Sequence, residues 1–207
     1  MKVGLFDGLV LEDIYVKGNT NDVTRASLDF SAAASTDLVM RNVNMKDINL
    51  TGTGTKYAIY MHSNITGEVD VSDIVISGTN SIGFFTDVDD MTIDSLTVRN
   101  STAGSPVSGN ADRLLLTNTK LYNNAKAPVL SGNSVVVDGF HSVDCNASNF
   151  NLWLDGNDPT LRNALVEQTT SIPSGQKGFA FTDEPREISN VRAVSAGTVD
   201  RDWETIN

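Results

Sequence analysis

The chain has little of several things that usually announce a function. A single cysteine, Cys145, in 207 residues rules out an internal disulfide framework, and its apolar and small neighbours suit a buried, inert thiol. Two histidines, His62 and His141, stand far apart, so they cannot join Cys145 around one metal ion; no metal and no cofactor are expected. No apolar run is long enough to span a bilayer, which argues against membrane insertion. Positive charge is also scarce. Fifteen Lys and Arg against 26 Asp and Glu leave a formal net charge of -11, which repels nucleic-acid phosphates at long range and argues against nucleic acid as a partner. The opening "MKVGLFDGLVLED" meets acidic residues before any apolar core forms, unlike a secretory signal. With 40% hydrophobic and 20% charged residues, the chain is nevertheless too apolar to be disordered.

What it does have is a repeat. The segments "GLVLEDIYVKG" from Gly8, "DLVMRNVNMKD" from Asp37, "EVDVSDIVISG" from Glu68 and "DMTIDSLTVRN" from Asp90 align without a gap. "RLLLTNTKLYN" from Arg113 follows, then "SVVVDGFHSVD" from Ser134, where an extra residue is expected near Ser142. "DPTLRNALVEQ" from Asp158 and the weaker "PREISNVRAVS" from Pro185 complete eight copies. Apolar residues at the second and fourth positions give the period of two that marks a strand. The sixth position then holds Asp13, Asn42, Asp73, Ser95, Asn118, Gly139, Asn163 or Asn190, turn-tolerant residues that predict a corner. Those Asn and Asp side chains are expected to stack as a ladder rather than to catalyse.

A third short strand follows each copy, as in "YAIYM", "IGFFT", "PVS", "PVLS", "NLWLD" and "FAFTD". Strands this short must stack on neighbouring repeats to bury their apolar sides. The expected fold is all-β, a single-stranded right-handed parallel β-helix of about eight rungs, forming one domain over residues 1–207. Its rungs run from about residue 8 to 196, with a short tail at 197–207. Leucine-rich repeats, the nearest rival, would need a helical or looser convex side that is missing here.

The rung "YNNAKAPVLSGNS" resembles those of the parallel β-helix, or pectin-lyase-like, superfamily, and the resemblance runs from about Gly8 to about Ala196. It implies an extended carbohydrate-facing surface but no particular reaction. No match to a polygalacturonase aspartate cluster or to a pectate-lyase arginine among calcium-binding acids is present. Members usually cap the first rung with a helix, and residues 1–8 cannot form one. A chain that is part of a larger protein or assembly is therefore expected, most like a bacteriophage tailspike or receptor-binding domain.

Strand alternation assigns two outward columns to the third strand. The first holds Asp29, Tyr60, Phe84, Pro106, Val129, Trp153 and Ala180; the second holds Ser31, His62, Thr86, Ser108, Ser131, Asp155 and Thr182. Aromatic rings beside hydroxyls and carboxylates suit a sugar, whose C–H faces stack and whose edges hydrogen-bond. Tyr60, His62, Phe84, Asp87, Trp153, Asp155 and Asp183 are the candidate ligand-binding residues. Longer loops at "INLTGTGTK" and "TTSIPSGQKG" are expected to wall a groove around Phe84 and Trp153. The same apolar stripe could instead pack against a sister chain. No catalytic residue is assigned, although Asp155 and Asp183 on successive rungs could approach the separation of about 5.5 Å that a retaining glycosidase needs. The acids of "TDVDD", Asp87, Asp89 and Asp90, lack the loop spacing of an EF-hand. The Asn-x-Ser/Thr tripeptides are expected by chance in so Asn-rich a chain.

The leading expectation is a tailspike-like module that recognises a cell-surface polysaccharide or oligosaccharide. It would be a homo-oligomer, a trimer by the resemblance, placed on a virion or at an extracellular or cell surface. A polysaccharide hydrolase or lyase and a structural fibre or spacer are the alternatives.

Overall fold

The structure is a computed structural model, and it describes residues 1–18, 25–31, 34–145, 150–169, 177–195, 198–199 and 204–205. Among these there is no helix. Eight long strands carry the repeat: β1 (Asp7–Lys17), β3 (Ser35–Ile48), β5 (Ile65–Thr79), β7 (Met91–Arg99), β9 (Leu115–Tyr122), β11 (Val136–Val143), β13 (Thr160–Gln168) and β15 (Glu187–Ser195). They alternate along the chain with short strands β2 (Ala26–Phe30), β4 (Tyr57–Met61), β6 (Ile82–Thr86), β8 (Val107–Asn110), β10 (Val129–Ser131), β12 (Phe150–Asp155) and β14 (Lys177–Phe181). The long strands pair in parallel into one sheet and the short ones into a second, each strand beside its counterpart one turn away. That is a parallel β-helix, with about seven turns between β1 and β15. Near its end, β16 (Thr198–Val199) folds back antiparallel on β15, and β17 (Glu204–Thr205) adds to β14.

The expected corner is present at all eight sixth positions, each with a left-handed backbone, from φ 49° at Asn163 to 75° at Gly139. Two further left-handed corners flank it. One begins the motif, at Asp37, Asp90, Arg113, Ser134 and Asp158, and the other ends it, at Asp47, Gly78, Asn100, Asn123 and Asp144. Corners five residues apart leave panels of four residues, two facing in and two facing out. Asn and Asp bear this conformation better than most residues because their short polar side chains bond locally. The panels themselves are rich in Val, Ile, Leu and Met.

The inward columns fill the rod. Met40, Val71, Ile93, Leu116, Val137 and Leu161 stack in register, each at 1% exposure or less. From the short strands Leu28, Ile59, Phe84, Val107, Leu152 and Phe179 close the core from the other side. No residue is inserted near Ser142. His141, Ser142 and Val143 pair with Lys120, Leu121 and Tyr122 without a slip, so the eleven-residue unit is unbroken. Ser142 simply occupies the ninth, inward position, fully buried, with a hydroxyl that has no partner.

The side-chain ladder exists, but it steps sideways wherever the chemistry changes. Asn42 donates to Asp13 at 2.6 Å and Asn190 to Asn163 at 2.8 Å, directly between sixth positions. Asn118 instead reaches the fifth-position Asp94 at 2.8 Å, and Asn163 reaches Asp138 at 2.7 Å. Below them stand Ser95, too short to accept, and Gly139, with no side chain. A second ladder runs through Asp89, Asp112, Asn133 and Asn157, beside the corner that opens each motif. At the chain's first residues, the Val3 amide donates to the Asp29 carbonyl at 2.8 Å, and the Asp29 amide donates to the Met1 carbonyl at 2.9 Å. Met1 to Val3 thus lie along β2 as a strand-like bridge.

Candidate functional site

The outer face of the short-strand sheet is fixed by its register. Its first outward column is Asp29, Tyr60, Phe85, Ser108, Val129, Trp153 and Ala180. Phe84 is therefore not a surface residue. It pairs with Ile59 and Val107, both inward, and its ring is fully buried. Thr86 is likewise inward and buried, and its hydroxyl accepts the Val88 amide at 3.0 Å. The second column becomes His62, Asp87, Asn110, Ser131, Asp155 and Thr182, with Asp87 in the place that alternation gave to Thr86.

Aromatic residues gather in two sectors. In the first, Tyr60 and Phe85 stack nearly parallel, 5.3 Å between centroids and 6° between planes. Tyr57 tilts against both at 4.8 and 4.9 Å. The guanidinium of Arg25 lies 4.7 Å from the centre of the Tyr60 ring. Tyr60 points outward, yet this cover leaves it only 7% exposed. Burial raises the phenol pKa of Tyr60 and Tyr57, so both remain neutral hydroxyls. His62 sits 6.0 Å from Tyr60, and its Nδ1 accepts the Asn64 amide at 3.2 Å. That bond places the ring proton on Nε2 when the imidazole is neutral.

The second sector is built around Trp153, half-buried on β12, with Phe150 at 5.4 Å. The indole Nε1–H donates to the Thr182 hydroxyl at 3.1 Å, and that hydroxyl donates to Asp155 Oδ1 at 2.6 Å. Ser131 donates to Asp155 Oδ2 at 3.4 Å. The relay locks ring and carboxylate in one orientation and leaves Asp155 with acceptor capacity toward solvent. Asp183 is not part of it. Thr182 is the residue beside Asp155, and Asp183 stands one place further, exposed in the turn that follows β14. Between the sectors lie Ser108 and Val129, short side chains spanning three rung spacings, about 14 Å.

A polar depression of ≈ 360 Å³ adjoins the first sector, lined by Ser63, Asp87, Asp89, Asn110 and Asp112. Burial raises the pKa of Asp87, offset in part by the Asn110 amide and the neighbouring His62. Asp89 and Asp112 spend carboxylate oxygens on backbone amides of the next turn, at 2.8 and 2.7 Å. Among the described residues no three His, Cys, Asp or Glu side chains converge as a metal site would require. Of the two loops expected to wall a groove, one connects β3 to β4 with Thr51 to Thr55 exposed. Residues 170–176 of the other lie outside the described residues.

Sequence alternation missed Phe85, Tyr57, Arg25 and Phe150. The doubled Phe84-Phe85 was a signal, since one of two adjacent strand residues must face outward. The chain matches no protein-family model, no curated protein and no solved structure with which it was compared.

Proposed function

We propose that this β-helix is a carbohydrate-recognition module, binding an oligosaccharide or polysaccharide laid along the outer face of the short-strand sheet. The Trp153–Thr182–Asp155 relay carries the reading. An indole held rigid beside an oriented carboxylate offers a sugar both an apolar platform and a hydrogen-bond acceptor, with little ordering left to do on binding. Tyr57 and Phe85, half-buried beside the covered Tyr60 and about 14 Å along the rod, supply a second contact, so the ligand is an extended chain rather than a single ring. The resemblance of the rungs supports a tailspike-like receptor-binding role on a virion or at a cell surface, in a homo-oligomer of which the trimer is the form the resemblance implies.

Titration calorimetry with capsular and lipopolysaccharide oligosaccharides tests this. At least one should bind, and Trp153→Ala should weaken it by roughly tenfold, the equivalent of about 1.4 kcal/mol of ring contact. Asp155→Asn should weaken it too. A reducing-end assay on the same oligosaccharides separates binding from cleavage. Indifference to every oligosaccharide, or undiminished affinity in Trp153→Ala, refutes the reading.

A further inference from the structure

The long-strand sheet bends at its sixth-position corner into two panels, and basic side chains gather on the second. On the panel beyond the corner, the eighth and tenth positions face outward. They place Lys17, Lys46, Arg99, Lys120 and Arg192 along the rod, all exposed. None of the five has an acidic partner among the described residues. The one acid in those two columns, Glu167, is engaged by His141 at 2.6 Å. The bordering corners add Asp47 and Asp144 on one side and Asp13 and Asp73 on the other; the Asp144 carboxylate accepts from the Thr169 amide and hydroxyl, and Asp13 accepts from Asn42. In a chain with only fifteen Lys and Arg, five on one panel is a marked segregation.

The opposite sign collects along the corner that opens each motif. Asp37, Glu68, Asp89, Asp90, Asp112 and Asp158 line it from turn to turn, and the basic residues beside it among the described residues are Arg113, which is bound to Asp90, and Arg186 in the last unit. The panel runs from the first unit to the eighth and the ridge from the second to the seventh, and both share the rung spacing of about 4.8 Å. A surface with that spacing and opposite charge is therefore already present on every copy of the molecule. A polyanion and a second copy both meet long-range repulsion from a chain of net charge -11, but the copy presents its acids at the rung spacing of the panel.

We propose that the basic panel of one chain docks laterally on the acidic ridge of a second copy, rod beside rod. The inference deepens the homo-oligomeric part of the function proposed above; the basic panel lies on the other sheet from the glycan face, while the ridge shares Asp89 and Asp112 with the depression beside that face. Panel and ridge are different surfaces, so the contact is head-to-tail in the rotational sense and extends to a closed ring or an open array. The contact is ionic and exposed at its rim, so added salt dissociates it.

Sedimentation velocity of the 207-residue chain at roughly 0.05 M and about 0.5 M sodium chloride tests it, with no variant required. The expected result is an assembly at low salt that shifts to the mass of one chain at high salt. Lys46→Glu with Arg99→Glu and Lys120→Glu should be monomeric at both salts. A second chain carrying Glu68→Lys, Asp90→Asn and Asp158→Asn should also be monomeric alone, and mixing the two altered chains should restore an assembly. Calorimetry with the oligosaccharides of the preceding section reports the glycan face separately. A chain monomeric at both salts overturns the proposal, as does an assembly indifferent to salt and to the reversals. Retention on a heparin column without self-association overturns it too and assigns the panel to a polyanion.

Discussion

Leu116 and Leu9 are the same residue type at inward positions of the repeat, in a middle turn and in the first. Leu116 is 1% exposed, between Ile93 and Val137 in register, so its side chain has packed protein both above and below. Leu9 has Leu38 on one side only and is partly exposed. Truncation to Ala removes three carbons. Fully buried, these are worth about 2.4 kcal/mol of transfer free energy. The void they leave, closed by neighbouring turns, adds about another 1 kcal/mol. Leu116→Ala should therefore cost about 3–4 kcal/mol. At Leu9 roughly half the transfer is lost and no void is enclosed, so about 1 kcal/mol is expected. Coupling in a solenoid passes only between neighbouring turns, so the difference should survive in the intact rod. Urea unfolding of both variants beside the wild type, followed by far-UV circular dichroism, measures it. Equal destabilisation, or a larger effect at Leu9, would mean that the turns do not stack in this order.

Adjacent phenylalanines separate core from surface: Phe84→Ala should cost about 3–5 kcal/mol, whereas Phe85→Ala should cost about 1 kcal/mol, the worth of its aromatic contacts. Thermal melts of the pair check this, and a reversed order would place the wrong ring inside. Asp94 governs part of the acid response. Its carboxylate accepts hydrogen bonds from Thr117 first, then Asn118 and Ser95, which hold its pKa below the usual aspartate range. A depressed folded pKa contributes stability that is present above the unfolded value and is lost as pH falls through the folded one. Asp94→Asn should thus lower the melting temperature at neutral pH and flatten its decline on acidification. Parallel pH profiles for the two proteins would remove Asp94 from the account.

The period of two was legible because panels with one face in the core must alternate, and the sixth-position corner because Asn, Asp and Gly advertise a left-handed backbone. The other two corners were harder to see. Arg113 and Ser134 adopt positive φ without any compositional sign of it. Ser142 suggested an inserted residue only because a hydroxyl stands where the pattern asks for an apolar side chain. The one-residue slip at β6 arose where alternation falls silent, since phenylalanine occupies both the inward and the outward place. Within the candidate site, Trp153 and Asp155 could be read from alternation, but their link through Thr182 crosses between turns and depends on register. Arg25 over Tyr60 lies outside any column, so no periodic reading could reach it.

The corners at every fifth residue also act as a ruler. The eleven-residue unit keeps its length, save that a bulge sets the corner opening the third unit back to Gly67, although successive units start 21 to 31 residues apart. All of that variation falls in the connections to and from the short-strand sheet, beside the face that carries Trp153 and Phe85. A segment spliced in there leaves every inward column undisturbed, because the next unit measures its own panels afresh. A lineage could therefore exchange what surrounds the aromatic face, and with it the ligand, while conserving the rod to the residue.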